Sequence, residues 1–329
     1  MLKIQEKLLY LDQNIWIKLG RIHYGIDSDS ELEEVLNLIQ DLIKKKKLIV
    51  PLSHSNFIET TKRQDKVSRE RLAKFMIFLS NGYSFSPYVF LTSIEVENLI
   101  RRRIGEKEIN MYEYALGVGL PFLVGEEPTP RITTDKIPKA EKEKLEKYMK
   151  DILYTKEIVE YMILNYTADL KKDKDIFDDM ISGIESEKDK EMKIKDKTLR
   201  KRFRIARYLI QMFTPKLAEK CMKYKIHPQK IIPKNPNFEQ IMEIFEEMPL
   251  VYTNFCLIQG QRMNPSRPIV VNDLFDIAGL SFAIPYMDYV VGERFFLSIA
   301  KRDKLDHKYD TVLFNQSELT QLKGYLDKL

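Results

Sequence analysis

The segment KLLYLDQNIW, residues 7–16, decides the fold class that the sequence predicts. Apolar and aromatic residues occupy positions 8–11, and three polar residues, Asp12, Gln13 and Asn14, follow them directly. A short continuous apolar run bounded in this way is typical of a strand buried on both faces of a parallel sheet. We therefore expect a strand at residues 7–12 whose last residue, Asp12, emerges at the edge of the sheet.

Helices and strands alternate along the rest of the first sixty residues. A capping-box spacing predicts that a helix begins at Ser30. Residues 48–52 (LIVPL) predict a second buried strand that ends near Pro51, because proline cannot donate a hydrogen bond to a sheet. Residues 53–55 then begin a helix that carries Glu59.

The same alternation returns in the last sixty residues of the chain. The predicted order is helix, strand, helix, strand, at residues 273–283, 288–291, 294–301 and 311–314. Strands separated by helices favour a parallel sheet covered by helices on both faces. The sequence therefore predicts an α/β fold to which both ends of the chain contribute. The run Gly117-Val118-Gly119-Leu120-Pro121 is interpreted as a turn.

The central part of the chain has a different character. Residues 138–250 are rich in Lys, Glu and Asp, with isolated apolar residues at helical spacing and no clear strand pattern. We predict a discontinuous α/β domain, residues 1–137 and 251–329, and a mainly helical, basic insertion, residues 138–250. Residues 188–234 hold 16 Lys and Arg against four Asp and Glu; because the whole chain carries only +5, the remainder is net acidic.

Composition and motif content exclude several classes of protein. With 44% apolar residues among 329, the chain can bury a sizeable core, which excludes intrinsic disorder. Two cysteines without CxxC spacing exclude a disulfide scaffold or a zinc ribbon. The sequence contains no apolar run of the roughly 20 residues that a membrane span needs, and we expect a cytoplasmic protein. Phosphate-binding loops, dinucleotide-binding motifs and GxSxG elbows are absent from the sequence.

Acidic residues follow or flank several of the predicted strands. In an open parallel sheet, ligands bind beyond the carboxyl ends of the strands, and these ends meet at one edge. Like charges gathered there repel one another unless a cation neutralises them, and Mg²⁺ or Mn²⁺ is the hard ion that carboxylates prefer. An acid after a strand is also often only a helix cap, which is the alternative for each single residue. The acids concerned are Asp12, Glu59, Asp273, Asp276, Asp288 and Glu293.

Three segments, in this order, resemble the PIN-like nuclease domains: YLDQNIWIKL, PLSHSNFIETTKR and VNDLFDIAGLSFAIPYMDYVVGERFF. The resemblance covers roughly residues 5–100 and 265–329. It implies a three-layer α/β/α fold with a central parallel sheet, and metal-dependent cleavage of a phosphodiester bond, usually in RNA. The central insertion is outside the resemblance.

The resemblance also implies roles for individual acids. Asp12 matches the first metal ligand and Glu59 the second, and Asp276 matches the acid that opens the C-terminal helix better than its rival Asp273 does. The family often places a further Asp after the next strand, where this chain reads Val291-Gly292-Glu293-Arg294, so either Asp288 or Glu293 takes that role. The leading set of catalytic and metal-binding residues is Asp12, Glu59, Asp276 and Asp288, with Asp273 and Glu293 as alternates. Asn14 is a further candidate, either to orient Asp12 or to contact a phosphate.

A cluster of cations in the insertion predicts contact with nucleic acid. The candidate residues are Lys197, Arg200, Lys201, Arg202, Arg204 and Arg207. They could follow a phosphate backbone while Phe203 or Tyr208 stacks on a base. Equally, the segment has the pattern of an amphipathic helix with a solvated cationic face.

The functional hypothesis is a metal-dependent endoribonuclease that binds nucleic acid, RNA in preference to DNA. A catalytically inactive module that binds nucleic acid or protein, and a structure-selective DNA nuclease, are the alternatives. No membrane partner is expected. The sequence leaves open whether the chain forms a homo-oligomer, and whether it serves RNA turnover, acts as a toxin or defends against phage.

Overall fold

The structure, a computed structural model, describes residues 5–134, 136–166, 170–264 and 267–329. The predicted α/β domain extends over residues 1–4, 135, 265 and 266, and the predicted insertion over residues 167–169, and these positions lie outside the described residues. Across the described ranges, no helix combines the length and the apolar composition that crossing a bilayer requires.

Short strands form two sheets. The strands are β1 (Lys7–Leu11), β2 (Leu48–Ile49), β3 (Leu52–Ser53), β4 (Tyr83–Phe85), β5 (Leu116–Val118), β6 (Tyr289–Gly292) and β7 (Val312–Asn315). The first sheet has the order β2-β1-β6-β7 and is parallel throughout. The second has the order β3-β4-β5, in which β5 is antiparallel to β4. The predicted α/β class with a parallel sheet is confirmed.

Helices connect and cover these strands. The first part of the chain contains α1 (Gln13–His23), α2 (Ser30–Lys44), α3 (His54–Thr61), α4 (Lys66–Ser80), α5 (Tyr88–Ile104), α6 (Met111–Ala115) and α7 (Leu120–Val124). The central part contains α8 (Lys139–Ile152), α9 (Lys156–Asn165), α10 (Leu170–Met192), α11 (Lys197–Tyr208), α12 (Thr214–Tyr224) and α13 (Phe238–Glu246). The last part contains α14 (Pro249–Arg262), α15 (Val271–Tyr286), α16 (Arg294–Arg302), α17 (Leu305–Tyr309) and α18 (Leu319–Leu326).

Three short irregular turns complete the chain path. A π-helical turn, Leu209–Phe213, joins α11 to α12, and 3₁₀ turns occur at Pro228–Lys230 and Gln316–Glu318.

Two details of the predicted sheet are wrong. The single strand predicted at residues 48–52 is broken at Val50 and Pro51, so that β2 pairs with β1 and β3 pairs with β4. The break lies where Pro51 has no backbone N–H to donate. The turn predicted at Gly117 is instead part of β5, which pairs with β4 through Gly117 and Ser84. At three residues each, β4 and β5 are too short to show a periodic pattern.

The four-stranded sheet is buried on both faces. Successive residues of β1 belong to different hydrophobic cores: Leu8 and Tyr10 to one, Leu9 and Leu11 to the other. This division follows from the alternation of side chains along a strand. The core that contains Tyr10 also contains Phe245 and other side chains of the central helices, so the central part of the chain shares a core with the sheet.

Candidate metal centre

Two predicted acids lie side by side where β1 and β6 end. Asp12 directly follows β1 and caps α1, and its Oδ1 accepts a hydrogen bond from the backbone N–H of Gln13 at 2.7 Å. Glu293 has the equivalent place between β6 and α16. The two strands run parallel, and the N–H of Asp12 donates to the carbonyl of Val291 at 3.0 Å. The parallel register therefore brings both acids to one edge of the sheet.

Helices α3 and α15 bring three further acids to the same edge. Glu59 lies in α3, and Asp273 and Asp276 lie in the first turns of α15. Carboxylate oxygens of Asp273, Asp276 and Glu293 lie within 4.8 Å of one another, and these three residues could hold a metal ion. A set of donors made of carboxylates alone suits a hard cation such as Mg²⁺ or Mn²⁺.

The acid cluster, defined as Asp12, Glu59, Asp273, Asp276 and Glu293, is electrostatically unfavourable without a cation. Burial raises the pKa of Asp12 to about 6 and, together with the neighbouring Asp12 charge, that of Glu59 to about 7. Burial, followed by repulsion from the other four acids, raises the pKa of Asp276 to about 9. A carboxyl group in this state is held protonated near neutral pH unless a positive charge offsets the repulsion. A divalent cation would remove that conflict.

Asp273 differs from the other acids because its oxygens already have donors. Its Oδ1 accepts a hydrogen bond from Arg267 at 2.7 Å. Its Oδ2 accepts from Gln261 Nε2 at 3.0 Å and from the Val270 N–H at 3.1 Å. The side chain is 1% exposed. In the described part of the chain, by contrast, no hydrogen bond reaches the Asp276 carboxylate. Asp273 thus fixes the first turn of α15, and this turn positions Asp276.

Arg267 is one of two cations beside this cluster. Its guanidinium lies 3.7 Å from the ring centroid of Phe295, a cation–π contact, and its Nη2 reaches Asp273 at 2.7 Å and Glu293 at 3.4 Å. The guanidinium offsets the charges of these two acids but forms no ion pair with Asp12, Glu59 or Asp276. Arg267 therefore does not compensate the charges of these last three carboxylates.

Lys62 lies at the opposite side of the cluster. Its ammonium group lowers the pKa of Glu59 and lies 4.7 Å from the ring centroid of Phe275, the residue that precedes Asp276. A lysine next to a carboxylate centre is a point charge that a phosphate group can contact. The cluster is thus flanked by two cations, from the loop before α15 and from the end of α3.

Close packing of α15 on β1 fixes the distance between the cluster and the sheet. A Cβ built at Gly279 would lie 2.4 Å from the Tyr10 hydroxyl, so only glycine permits this approach. Since Tyr10 is two residues from Asp12 and Gly279 is three from Asp276, the contact holds the two carboxyl groups near each other.

The structure does not bring Asp288 into the cluster, and its prediction as a ligand is corrected. The strand β6 begins at Tyr289, so Asp288 lies at its amino end, across the sheet from Asp12. There its carboxylate accepts from the Leu8 N–H at 2.8 Å and pairs with Lys7. Glu293, the alternate, occupies the carboxyl end. Asn14 lies in the first turn of α1 with an exposed side chain.

The six predicted nucleic-acid-binding residues divide into two groups. Lys197, Lys201 and Arg202 are exposed on α11, and the Lys201 ammonium also lies 4.4 Å from the ring centroid of Phe238. The other three are engaged within the protein: Arg200 donates to the carbonyl of Ile194, Arg204 pairs with Glu191 at 2.8 Å, and Arg207 pairs with Glu187. The six residues therefore do not form one continuous exposed surface, because Arg204 and Arg207 anchor α11 to α10 and Arg200 binds the loop between the two helices.

Sequence reasoning missed Arg267 and Gln261. Both contact Asp273 from outside the predicted strands and helices, and Arg267 is one of 54 basic residues in the chain. The only signal is position: Arg267 lies just before a helix that opens with two acids. Comparisons of the chain with protein-family models, with curated proteins and with solved structures found no match.

Proposed function

We propose that the chain is a metal-dependent nuclease of PIN-like type that hydrolyses phosphodiester bonds, with RNA as the preferred polymer. The observation that carries the proposal is the gathering of five carboxyl groups from four separate parts of the chain where β1 and β6 end. Such convergence at the carboxyl edge of a parallel sheet is typical of an α/β ligand site. Raised pKa values of Asp12, Glu59 and Asp276 further support a cation-binding role.

The cluster residues would divide the work of holding a metal and a substrate. Asp12, Glu59, Asp276 and Glu293 are the proposed ligands, and Asp273 positions Asp276 through its own hydrogen bonds. A divalent ion held there would supply an activated water and offset charge on the leaving oxygen. Lys62, beside Glu59, would contact a substrate phosphate.

The distribution of charge favours a polyanionic substrate. An acid cluster repels nucleic acid when it holds no metal, so attraction must come from elsewhere in the molecule. The exposed Lys197, Lys201 and Arg202 on α11 are the proposed source. The preference for RNA rests on the resemblance in the sequence.

A cleavage assay tests the proposal. Purified wild type and Asp12→Asn are incubated with end-labelled single-stranded RNA, single-stranded DNA and flapped DNA, each with Mn²⁺, Mg²⁺ or EDTA. We expect wild type to cut RNA only with a metal, and Asp12→Asn to lose at least about a hundredfold in rate because a ligand carboxylate is lost. Asp288→Asn, which removes a carboxylate at the other end of the sheet, is the matched control and should retain the wild-type rate.

Other outcomes would point to the alternatives. A preference for flapped DNA would favour the structure-selective DNA nuclease. Cleavage by Asp12→Asn at the wild-type rate would refute the metal role of the cluster. RNA binding without cleavage under any condition would favour an inactive binding module.

A further inference from the structure

A cavity of about 330 Å³ opens next to the acid cluster, at the carboxyl ends of β3 and β4. Its walls come from the β3–α3 junction at residues 53–55, the β4–α5 junction at residues 85–89, Asn254 and Ile258 of α14, α15, and Met212 of the π-helical turn. The acid cluster occupies the carboxyl ends of β1 and β6, and β2 and β3 are separated by only two residues. Cavity and cluster are therefore neighbours along the same edge.

Helices α3 and α15 separate the cavity from the cluster and contribute to both. On α15, Leu274, Phe275 and Ala278 line the cavity, while the intervening Asp276 belongs to the cluster. On α3, Ser55 lines the cavity and donates a hydrogen bond to the Phe275 carbonyl at 3.0 Å. Glu59 follows Ser55 by one helical turn. A ligand in the cavity would therefore lie one helix away from the carboxylates.

The chemistry of the lining limits what can bind. None of the described residues that line the cavity is Asp, Glu, Lys or Arg, so a phosphate, a carboxylate or an ammonium group would bury its charge there without a partner. The lining is apolar and aromatic, with Phe85, Tyr88 and Phe275 among its members. Burial lowers the pKa of His54, which keeps this imidazole neutral at physiological pH. A flat, uncharged aromatic group fits these walls.

The polar groups at the cavity wall are fixed in place. Asn254 donates to Ser281 Oγ at 3.0 Å and accepts from the Tyr208 hydroxyl at 3.0 Å. The Nδ1 of His54 lies 3.0 Å from the carbonyl of Leu123, and since a carbonyl only accepts, Nδ1 carries the hydrogen. In the neutral ring Nε2 is then an acceptor. The cavity is pre-formed rather than dependent on a rearrangement of its walls.

We propose that this cavity receives one unpaired nucleobase of the strand whose phosphate lies at the acid cluster, an inference that rests on the proposed function. Three features support it: the neutral aromatic lining, the shared helix α15, and the Lys62 ammonium over the Phe275 ring between cavity and cluster. At about 330 Å³ the cavity lies at the small end of ligand sites, which suits a single base. A base can enter only when it is unstacked, so the cavity selects single-stranded or looped RNA over a continuous duplex.

An abasic scan tests this inference. Each nucleotide of a short single-stranded RNA with one cleavage site is replaced in turn by an abasic nucleotide, and kcat/KM is measured for wild type. Because stacking of one base typically contributes a five- to hundredfold effect, we expect a loss of about tenfold at one position beside the scissile phosphate and little effect elsewhere. An equal effect of the abasic nucleotide on kcat/KM at every position would overturn the inference and leave the proposed function intact.

Two variants that narrow the cavity test its role, and Ala278→Ser is the matched control. Ala278→Phe fills it from α15, and Val89→Trp narrows its mouth from α5, where Val89 is 65% exposed and a larger side chain should not disturb folding. In either variant, the abasic nucleotide at the position that is sensitive in wild type should no longer lower kcat/KM relative to intact RNA. Ala278→Ser should behave as wild type. Persistence of the tenfold effect in Val89→Trp and Ala278→Phe would contradict the proposed location.

A binding measurement separates this inference from the proposed function. Fluorescence anisotropy in EDTA compares intact RNA with the abasic series, and requires neither metal nor cleavage. If no cleavage occurs on any substrate, a tenfold rise in Kd at one position, lost in Val89→Trp, would still support the base cavity. Equal Kd values for intact and abasic RNA would overturn it whether or not the protein cleaves.

Discussion

At the scale of single residues, the carboxyl groups of the cluster make stability depend on pH. Their pKa values in the folded protein are about 6 for Asp12, about 7 for Glu59 and about 9 for Asp276, above the value of about 4 expected for unfolded chains. Between a pH of about 4 and a pH of about 9, these groups therefore bind more protons in the folded state than in the unfolded state. The contribution of these three groups to the free energy of unfolding of the metal-free protein therefore falls as the pH rises from about 4 to about 9.

Asp276→Asn should remove much of this pH dependence. In EDTA at a pH of about 8.5 we expect its Tm to exceed that of wild type by at least about 2 °C, because folding of wild type must keep this carboxyl protonated far above its ordinary pKa, a cost that a neutral amide does not have. The gain should disappear near pH 4, where the carboxyl is largely protonated in the unfolded state as well. Differential scanning calorimetry measures both values. A lower Tm for Asp276→Asn at the higher pH would contradict the account of the cluster, and Asp288→Asn serves as the control that should show no gain.

Residue positions explain which of the predicted acids the structure brings together. Asp12 and Glu293 follow their strands directly, and Asp276 shares a helix face with Asp273, so strand order and helical spacing place these residues at the cluster. Asp288 was misassigned although it is the first residue of the predicted strand 288–291, an order that already puts it at the amino end, away from the edge that Asp12 marks. Arg267 reaches Asp273 through a loop contact, which no local pattern encodes.

At the scale of elements, α11 carries both exposed cations and cations held in internal contacts, and its sequence does not separate the two sets. Glu191, 1% exposed, pairs with Arg204 and with Arg262 of α14, both at 2.8 Å, so α10, α11 and α14 share a buried ion-pair network. Ile205 and Tyr208 on the same helix enter the hydrophobic core. The periodicity predicts an amphipathic helix, but only tertiary contacts decide which cations face solvent.

Removing the exposed cations of α11 should weaken RNA binding. The triple variant Lys197→Ala/Lys201→Ala/Arg202→Ala removes up to three phosphate contacts, so the slope of log K against log salt should become shallower by about 2 for single-stranded RNA. A matched triple change of Lys44, Lys45 and Lys46 to Ala removes exposed cations at the amino edge of the sheet and should leave the slope unchanged. Anisotropy titrations at several salt concentrations measure both. Equal slopes for wild type and the α11 variant would exclude this helix from the interface.

Elements with a clear local sequence pattern were predicted more accurately than the shortest strands. The helices α2 and α16 and the strands β1, β6 and β7 lie within a few residues of their predicted positions. The strands β4 and β5, three residues each, were missed because their pairing with β3 and with each other is a property of the folded chain. The three-stranded sheet, and with it the cavity at its edge, could not be predicted from local sequence.

At the scale of the whole molecule, one hydrophobic core connects the sheet to the central helices. Phe245 of α13 is fully buried and contacts Tyr208 and Phe255 ring to ring, in the core that also holds Tyr10 and Val290 of the sheet. The other core holds Trp16, the single tryptophan of the chain. The two cores lie on opposite faces of the same sheet, so we expect them to unfold together.

Phe245→Ala should therefore lower the stability of the whole molecule. Loss of a buried ring costs about 3 to 5 kcal/mol, and the midpoint of Trp16 fluorescence in urea should fall together with that of far-UV circular dichroism. An unchanged Trp16 midpoint beside an earlier circular-dichroism transition would show that the central helices unfold as a separate unit.

The central claim is that the carboxylates at the ends of β1 and β6 bind a divalent cation, and a calorimetric titration with Mn²⁺ tests it most directly. Wild type and Asp288→Asn should bind Mn²⁺ with the same affinity. Asp276→Asn should lose at least about a hundredfold in affinity, because Asp276 belongs to the cluster and Asp288 does not. Equal Mn²⁺ binding by wild type and Asp276→Asn, or no binding by wild type, would contradict the account.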